Sequence, residues 1–432
     1  MSTQERPLKV LRIIDRLIYG GPTRNVVFLT EGLARRGFDC DLITGLPAKG
    51  EGDMTFWAKE YGVHPIIINQ MSRELGPRDA VVMWKLFRLF QKLRPDIIHT
   101  HKSKAGAAGR LAGFFYKWCS PSILKLQPRK VRMVHTFHGH IFHSYYGKFK
   151  TSVFIHIERV LALITDRIVT VSEQQTDEIC NVFRIGKTSA FRVIPLGVDF
   201  CRTSTRSVFR QQSGIDEEEF LVAAVGRLCE VKNFSLLIQA FARALKADPK
   251  FKAKLAFIGD GHLRPQLEMY ARDLAVEHSV IFAGFQSDVD ALYPSFDVAA
   301  LSSLNEGTPL TLIESMSHGR PVLTTEVGGY GDILGSRVRA SDGFTIWDHG
   351  ISVPSGNIGA YASALLFLAA NPSLRGQMGE KARAYVHREF SRERLVSDMA
   401  SLYSEMWEAM PAMQRTGRDQ KMKAVGGGFS SA

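Results

Sequence analysis

Residues Phe220–Leu245 read FLVAAVGRLCEVKNFSLLIQAFARAL. The first six are apolar without alternation, which suits a strand covered on both faces. A glycine and an arginine follow, then a lysine, then a segment with helical patterning. This strand–turn–helix unit restarts a pattern already run once. Before it come LKVLRIID, CDLITG, HPIIIN, DIIHTH, VRMVHTF, DRIVTVS and FRVIPLG; after it come AKLAFIG, SVIFAG, DVAALSS, RPVLTT and GISVP. Helical segments separate most of them. The polar stretch DFCRTSTRSVFRQQSGIDEEE lies between the two series and reads as a linker. The pattern predicts two doubly wound, Rossmann-like α/β domains, residues 1–200 and 201–410, with a Gly-rich, charged tail over 411–432 predicted to be disordered. The segments NIGAYASALLFLAAN and SRERLVSDMASLYSEMWEAM are expected to close the second unit.

Composition narrows the class. Of 432 residues, 45% are apolar and 23% charged, an ordinary globular balance. Five widely spaced cysteines without a CxxC argue for reduced thiols in a cytosolic protein. The N-terminus, MSTQERPLKVLRIID, lacks the apolar core and cleavage site of a secretory signal. No apolar run reaches the roughly 18 residues of a membrane span. The net charge is +12, and it is concentrated: Lys102 to Arg167 holds twelve Lys and Arg against Glu158 and Asp166.

Open α/β sheets bind ligands at the carboxyl ends of their strands, so the turns there come first. Gly20-Gly21 follows the first strand and precedes a helix, where backbone can approach a phosphate; it also suits a plain tight turn. It is no GxGxxG. Arg227 and Lys232 follow the first strand of the second series and can grip a diphosphate, or simply be solvated. The stretch SSLNEGTPLTLIESMSHGRPVLTT, from Ser302 to Thr325, carries the strongest signal. Glu306, Gly307 and Thr308 form a turn, and Pro309 suits the first helical position. The amides of Leu310 and Thr311 open the helix towards an anion. Glu306 and Glu314 flank that point, one able to hold sugar hydroxyls and the other ribose hydroxyls; relief of the helix dipole is the bland account of Glu314.

His135, His138, His140 and His143 cluster after a strand, but no HxxxH or cysteine pair supports zinc, and no metal site is assigned. His138, before Gly139, is read as a single active-site histidine. Asp288-Val-Asp290 is read as helix capping rather than a metal ligand pair.

Together these motifs resemble the family 4 retaining glycosyltransferases, which have the GT-B fold: two Rossmann-like domains facing across a cleft. The family's E-x7-E is matched by Glu306 and Glu314, its Arg-Lys pair by GRLCEVKN, its glycine loop by YGGPTRNV, and its later G-x-P-V by GRPV. HTHKSKAGAAGRLAG and HTFHGHIF resemble the branch that builds bacterial capsule, exopolysaccharide or O-antigen. GGYGD stands where the family often has GGxPE, and GSRVRASDGFTIWDHG is longer than usual.

The resemblance implies a retaining, metal-independent hexosyl- or N-acetylhexosaminyltransferase that needs no cofactor. A nucleotide sugar, UDP-linked, is expected between the domains on Gly20, Gly21, Gly307, Thr308, Leu310, Thr311 and Glu314. His138, Glu306, Arg227 and Lys232 are the expected catalytic set. The acceptor is expected to be a lipid-linked glycan or oligosaccharide, its phosphate meeting Lys104. The basic segment 102–167 interleaves its cations with aromatics, which suits an anionic membrane surface. The expected location is therefore cytoplasmic, peripheral on the inner face of the plasma membrane. No nucleic-acid motif accompanies the charge, so no nucleic-acid partner is expected. A soluble transferase acting on a small sugar or sugar phosphate is the rival reading. Phosphorylase and epimerase chemistry share the fold but fit the E-x7-E with HGH less well.

Overall fold

A computed structural model describes residues 6–48, 51–71, 76, 78–119, 128–139, 148–200, 207–286, 288–341 and 343–409. His140, His143 and the tail 411–432 lie outside them, as does part of the basic segment. The first sheet holds β1 (Lys9–Arg16), β2 (Asp39–Gly45), β3 (Ile66–Ile67), β4 (Ile97–His101), β5 (Arg132–Thr136), β6 (Arg167–Thr170) and β7 (Phe191–Val193). Its order is β3-β2-β1-β4-β5-β6-β7, every pair parallel. The second holds β8 (Phe220–Val225), β9 (Ala253–Ile258), β10 (Val280–Gly284), β11 (Val298–Leu301), β12 (Val322–Thr325), β13 (Arg337–Ser341), β14 (Phe344–Trp347) and β15 (Gly350–Val353). It runs β10-β9-β8-β11-β12-β15-β14-β13. Strand order reverses between β1 and β4 in one sheet and between β8 and β11 in the other. Those switch points are where an open α/β sheet leaves a crevice.

Unalternating apolar strands are sandwiched as expected: Leu221, Val222 and Ala223 of β8 are each fully buried. The Phe234–Ala247 helix lays Phe234, Leu237, Ile238, Phe241 and Ala244 into the same core as β8 and β9. Each fully buried side chain of Leu or Phe size contributes about 1.5–3 kcal/mol. Side-chain caps fix helix starts: Asn357 Oδ1 accepts from the Ala360 amide at 2.9 Å, and Ser391 Oγ from Arg394 at 3.3 Å.

The long segment after Gly335 forms a hairpin: β13 and β14 pair antiparallel and extend the parallel sheet beyond β15. Two expectations need correction. Pro309 precedes the helix, which spans Leu310–Ser317, instead of opening it. The Arg392–Glu408 helix does not close the second unit. Leu395, Val396, Met399, Leu402, Tyr403 and Met406 pack with Val10, Leu29, Ile97, Val134 and Val169 of the first sheet's layer. Arg392, at its start, pairs with Glu31 and lies over the rings of Phe28 and Tyr61, 4.7 and 5.1 Å from their centroids. An amphipathic stripe specifies that a helix is buried on one side, not which sheet it finds.

Candidate functional site

The carboxyl edges of the two sheets meet. The glycine loop after β1 touches the start of the Leu310–Ser317 helix: a Cβ built on Gly21 would lie 2.5 Å from Leu310 Cδ1. The turn after β11 meets the loop after β5: a Cβ on Gly307 would lie 2.8 Å from the His138 carbonyl oxygen. At Gly307 the neighbour is backbone, so the approach depends on the missing side chain, while at Gly21 it is the movable end of the Leu310 side chain. Thr308 completes the contact, its hydroxyl 3.5 Å from the Val171 carbonyl. The residues singled out on the two halves therefore face one cleft.

On the second sheet's side, Lys232 Nζ donates to Glu306 Oε1 at 2.6 Å, and Ser303 Oγ donates to the same oxygen at 2.6 Å. The two loops are knitted by Ser302 Oγ to the Lys232 carbonyl at 2.9 Å and the Leu304 amide to the Val231 carbonyl at 2.8 Å. Arg227, on the loop after β8, is exposed. The first amides of a helix have no acceptor within it, so Leu310 and Thr311 present N–H groups at the cleft.

Glu314 is buried, and both its oxygens are engaged. Arg24, three residues past Gly21, donates to Oε1 across the cleft, and Tyr293 Oη donates to Oε2 at 2.6 Å. Burial, with the adjacent Glu314 carboxylate, pushes the Tyr293 phenol well above its ordinary range. Neither Arg24 nor Tyr293 was singled out from sequence. Arg24 lay within the glycine-loop motif; Tyr293 carried no local signal.

On the first sheet's side, His138 Nε2 lies 3.0 Å from His101 Nδ1. Burial, followed by the charge of Lys102, brings His138 down to about 3, so the ring is neutral at physiological pH. Lys102 Nζ pairs with Asp15 Oδ1 at 3.0 Å. Lys104 stands at the head of the Ser103–Trp118 helix and pairs with Asp79 at 2.9 Å. His135 points into the core, against Thr100 Oγ1 at 2.9 Å. Among the described residues, no three of His, Cys, Asp and Glu converge in a geometry able to hold a metal ion. Asp288 accepts from the Ala291 amide at 3.4 Å but does not cap a helix as expected, because the segment forms only a short 3-10 turn, Tyr293–Ser295, with no side-chain cap; Asp290 pairs with His318 at 3.0 Å.

Two parallel Rossmann-like sheets with a cleft between their carboxyl edges define a GT-B glycosyltransferase fold. The Glycosyltransferase Family 4 model matches residues 19–202, and the Glycosyl transferases group 1 model matches residues 205–385. The chain belongs to the family 4 glycosyltransferases. It is 24% identical to the UDP-Gal:alpha-D-GlcNAc-diphosphoundecaprenol alpha-1,3-galactosyltransferase of Escherichia coli, over 94% of this chain and 99% of that one. It is 25% identical to the N-acetyl-alpha-D-glucosaminyl L-malate synthase of Bacillus anthracis, over 88% and 92%. Among solved structures, Anabaena HepE in complex with UDP superposes with a TM-score of 0.72 at 19% identity, covering 92% of this chain and all of that one. A glycosyltransferase from Rickettsia africae gives 0.73 at 16%, over 94% and 100%.

Proposed function

We propose that the chain transfers a sugar, with retention, from a UDP-sugar to a lipid-linked glycan in the building of a surface polysaccharide. The observation that carries the reading is the convergence of Gly21, Lys232, Glu306, the Leu310 helix start and His138 on one cleft. Arg227, Lys232 and the Leu310 and Thr311 amides take the diphosphate, Gly20 and Gly21 close over it, and Gly307 and Thr308 line the turn beside it. Glu306 holds the sugar. Glu314 holds the ribose, its carboxylate fixed in place by Arg24 and Tyr293. The leaving diphosphate is stabilised by these fixed cations and dipoles without a metal. Removing one donor of this kind typically costs about 100- to 1000-fold. His138 faces the acceptor, with Lys104 further out along the same edge.

The lipid-linked acceptor is supported by the Escherichia coli relative, whose named acceptor is a diphosphoundecaprenol-linked sugar, and by one face of the first unit. Along the Lys148–Leu163 helix, Phe149, Val153, Ile157, Val160 and Leu163 are exposed at helical spacing, Phe149 and Leu163 to 81%. Leu111, Phe115 and Trp118 are exposed on the Ser103–Trp118 helix, which the buried Arg110–Glu158 pair ties to it. Glu158 is the only acid on either helix, and it is buried in that pair. Such a face suits the inner leaflet of the plasma membrane. Among the described residues no helix is long and apolar enough to cross a membrane.

The malate-directed relative favours a second reading, a small anionic acceptor. A panel of nucleotide sugars, each with lipid-diphosphate-linked sugars or small sugar phosphates and hydroxy acids, separates them. UDP release that rises only with the lipid-linked acceptors is expected. Turnover with the small acceptors alone overturns the lipid assignment. Nucleotide-sugar epimerisation without any acceptor overturns transfer.

A further inference from the structure

The second unit carries a cavity of about 600 Å³ that the reading above leaves unused, a size within the range of small-molecule sites. Glu326, Tyr330, Arg337, Thr345, Trp347 and Pro354 are among the residues that line it. Glu326 and Pro354 directly follow β12 and β15, at the same carboxyl edge as the Glu306 turn after β11. One wall comes from β13. Four of its five residues are exposed, so this edge strand adds little to a hydrophobic core; what it adds is that wall. The cavity also shares a loop with the cleft. Between Glu326 and Tyr330, a Cβ built on Gly328 would collide with the Glu306 carbonyl oxygen. The next amide, that of Gly329, donates to the Gly307 carbonyl at 2.9 Å.

The lining groups are fixed from behind. Ser352 is fully buried; its Oγ accepts from Trp347 Nε1 at 2.9 Å and donates to Glu326 Oε1 at 2.9 Å. The Trp347 and Tyr330 rings meet edge to face, at 88° with centroids 6.1 Å apart. Groups held in place before a ligand arrives lose less freedom when it binds. Among the described residues that line the cavity, Glu326 is the one acid and Arg337 the one cation. That balance discriminates between ligands. A diphosphate would face the Glu326 carboxylate with a single guanidinium to offset it. An acyl chain would take both charged groups out of water unpaired. A neutral pyranose fits both demands. Its C–H face packs on an aromatic ring, and its hydroxyls donate to a carboxylate and accept from a guanidinium.

We propose that this cavity is a second sugar-binding site, holding a neutral hexose or N-acetylhexosamine unit of the acceptor glycan away from the reacting end. The inference rests on the reading that the acceptor is a glycan. Trp347 supplies the ring face, Glu326 and Arg337 the polar grip, and the Glu326–Tyr330 loop keeps the site against the Glu306 turn.

The test measures binding and transfer separately, on the full chain. Galactose, N-acetylglucosamine, lactose and chitobiose are titrated with UDP at saturation and followed by saturation-transfer NMR. At least one is expected to bind saturably. Trp347→Ala is expected to weaken that binding about tenfold or more, and Trp347→Phe, which keeps a ring, to lose less. Arg337→Glu alters only an exposed edge residue, adds a second acid to the wall, and is expected to lose about tenfold as well. Glu306→Gln, in the cleft, is expected to bind these sugars as wild type does. Absence of saturable binding overturns the proposal. So does equal binding by wild type and both the Trp347→Ala and Arg337→Glu proteins, or loss of binding in Glu306→Gln alone. In the transfer assay, Arg337→Glu is expected to raise KM about tenfold for a lipid-diphosphate acceptor carrying several sugars, and to leave KM for a single-sugar acceptor within twofold. An equal effect on the two acceptors overturns the assignment to the glycan. An enzyme that uses no lipid-linked acceptor refutes the acceptor reading instead, and the sugar titrations still decide whether the site exists.

Discussion

At the scale of single residues, the cleft separates side chains that act from backbone that must fit. Lys232 is partly exposed and pairs with Glu306, whose oxygen also takes the Ser303 hydroxyl. Partly exposed ion pairs contribute at most about 1 kcal/mol, so Lys232→Ala is expected to leave the unfolding midpoint nearly unchanged. Its kcat should fall about 100-fold or more, the scale of one lost donor to a leaving anion. Near-normal turnover in a steady-state assay would remove Lys232 from the diphosphate site. Gly307 is the opposite case. A methyl there would lie 2.8 Å from the His138 carbonyl, backbone against backbone, while a methyl on Gly21 meets only the movable Cδ1 of Leu310. Gly307→Ala is therefore expected to hold the cleft apart and to lower kcat more than Gly21→Ala does, with both proteins folded by circular dichroism. Equal kinetics in the two variants would count against closure at Gly307.

At the scale of elements, strand positions were legible because both sheets are covered and their central strands are apolar on each face. Ile97-Ile98 of β4 and Leu221-Val222 of β8 are buried throughout. The β13–β14 hairpin was not legible: Arg337, Val338, Arg339 and Ala340 are exposed at a sheet edge, where no burial pattern marks a strand. The pairings around Glu314 and His138 were hidden for another reason. Arg24 reaches Glu314 over 290 residues of chain, and Tyr403 reaches His99 over 304. Spacing carries no trace of such contacts. Two predictions belong here. His99, His101, His135 and His138 of the β4 and β5 edge are all held below their ordinary pKa by burial. The unfolded chain then binds more protons than the native one below about pH 6.5, so stability is full above that pH and is lost as pH falls towards 3. Each histidine contributes a slope of up to about 1.4 kcal/mol per pH unit in that window. Denaturant unfolding across pH 7.5 to 4.5 checks it; a flat profile contradicts neutral burial. The exposed stripe of the Lys148–Leu163 helix gives the other. Phe149→Ser with Val160→Ser should abolish flotation with anionic vesicles while leaving turnover of a soluble acceptor analogue unchanged. Wild-type protein that floats equally with neutral vesicles, or with none, removes the membrane from the proposal.

At the scale of the whole molecule, the chain crosses over twice. It leaves the first sheet after β7, builds the second, and returns with the Arg392–Glu408 helix. Val198 and Ser391 bridge where the two passages run side by side, and Arg394 donates to the Pro195 and Leu196 carbonyls at 2.6 and 2.9 Å. The returning helix buries Met399, Leu402 and Tyr403 against β1, β4 and β5 and supplies the ring that anchors His99. The Arg392–Glu408 helix therefore completes the first unit rather than the second. Met399→Ala removes a buried side chain from that layer and is expected to cost about 2–5 kcal/mol. Because the contact is with the first sheet, hydrogen exchange should accelerate in β1, β4 and β5 well before β8 and β9. Uniform acceleration over both sheets would show instead that the two units unfold as one.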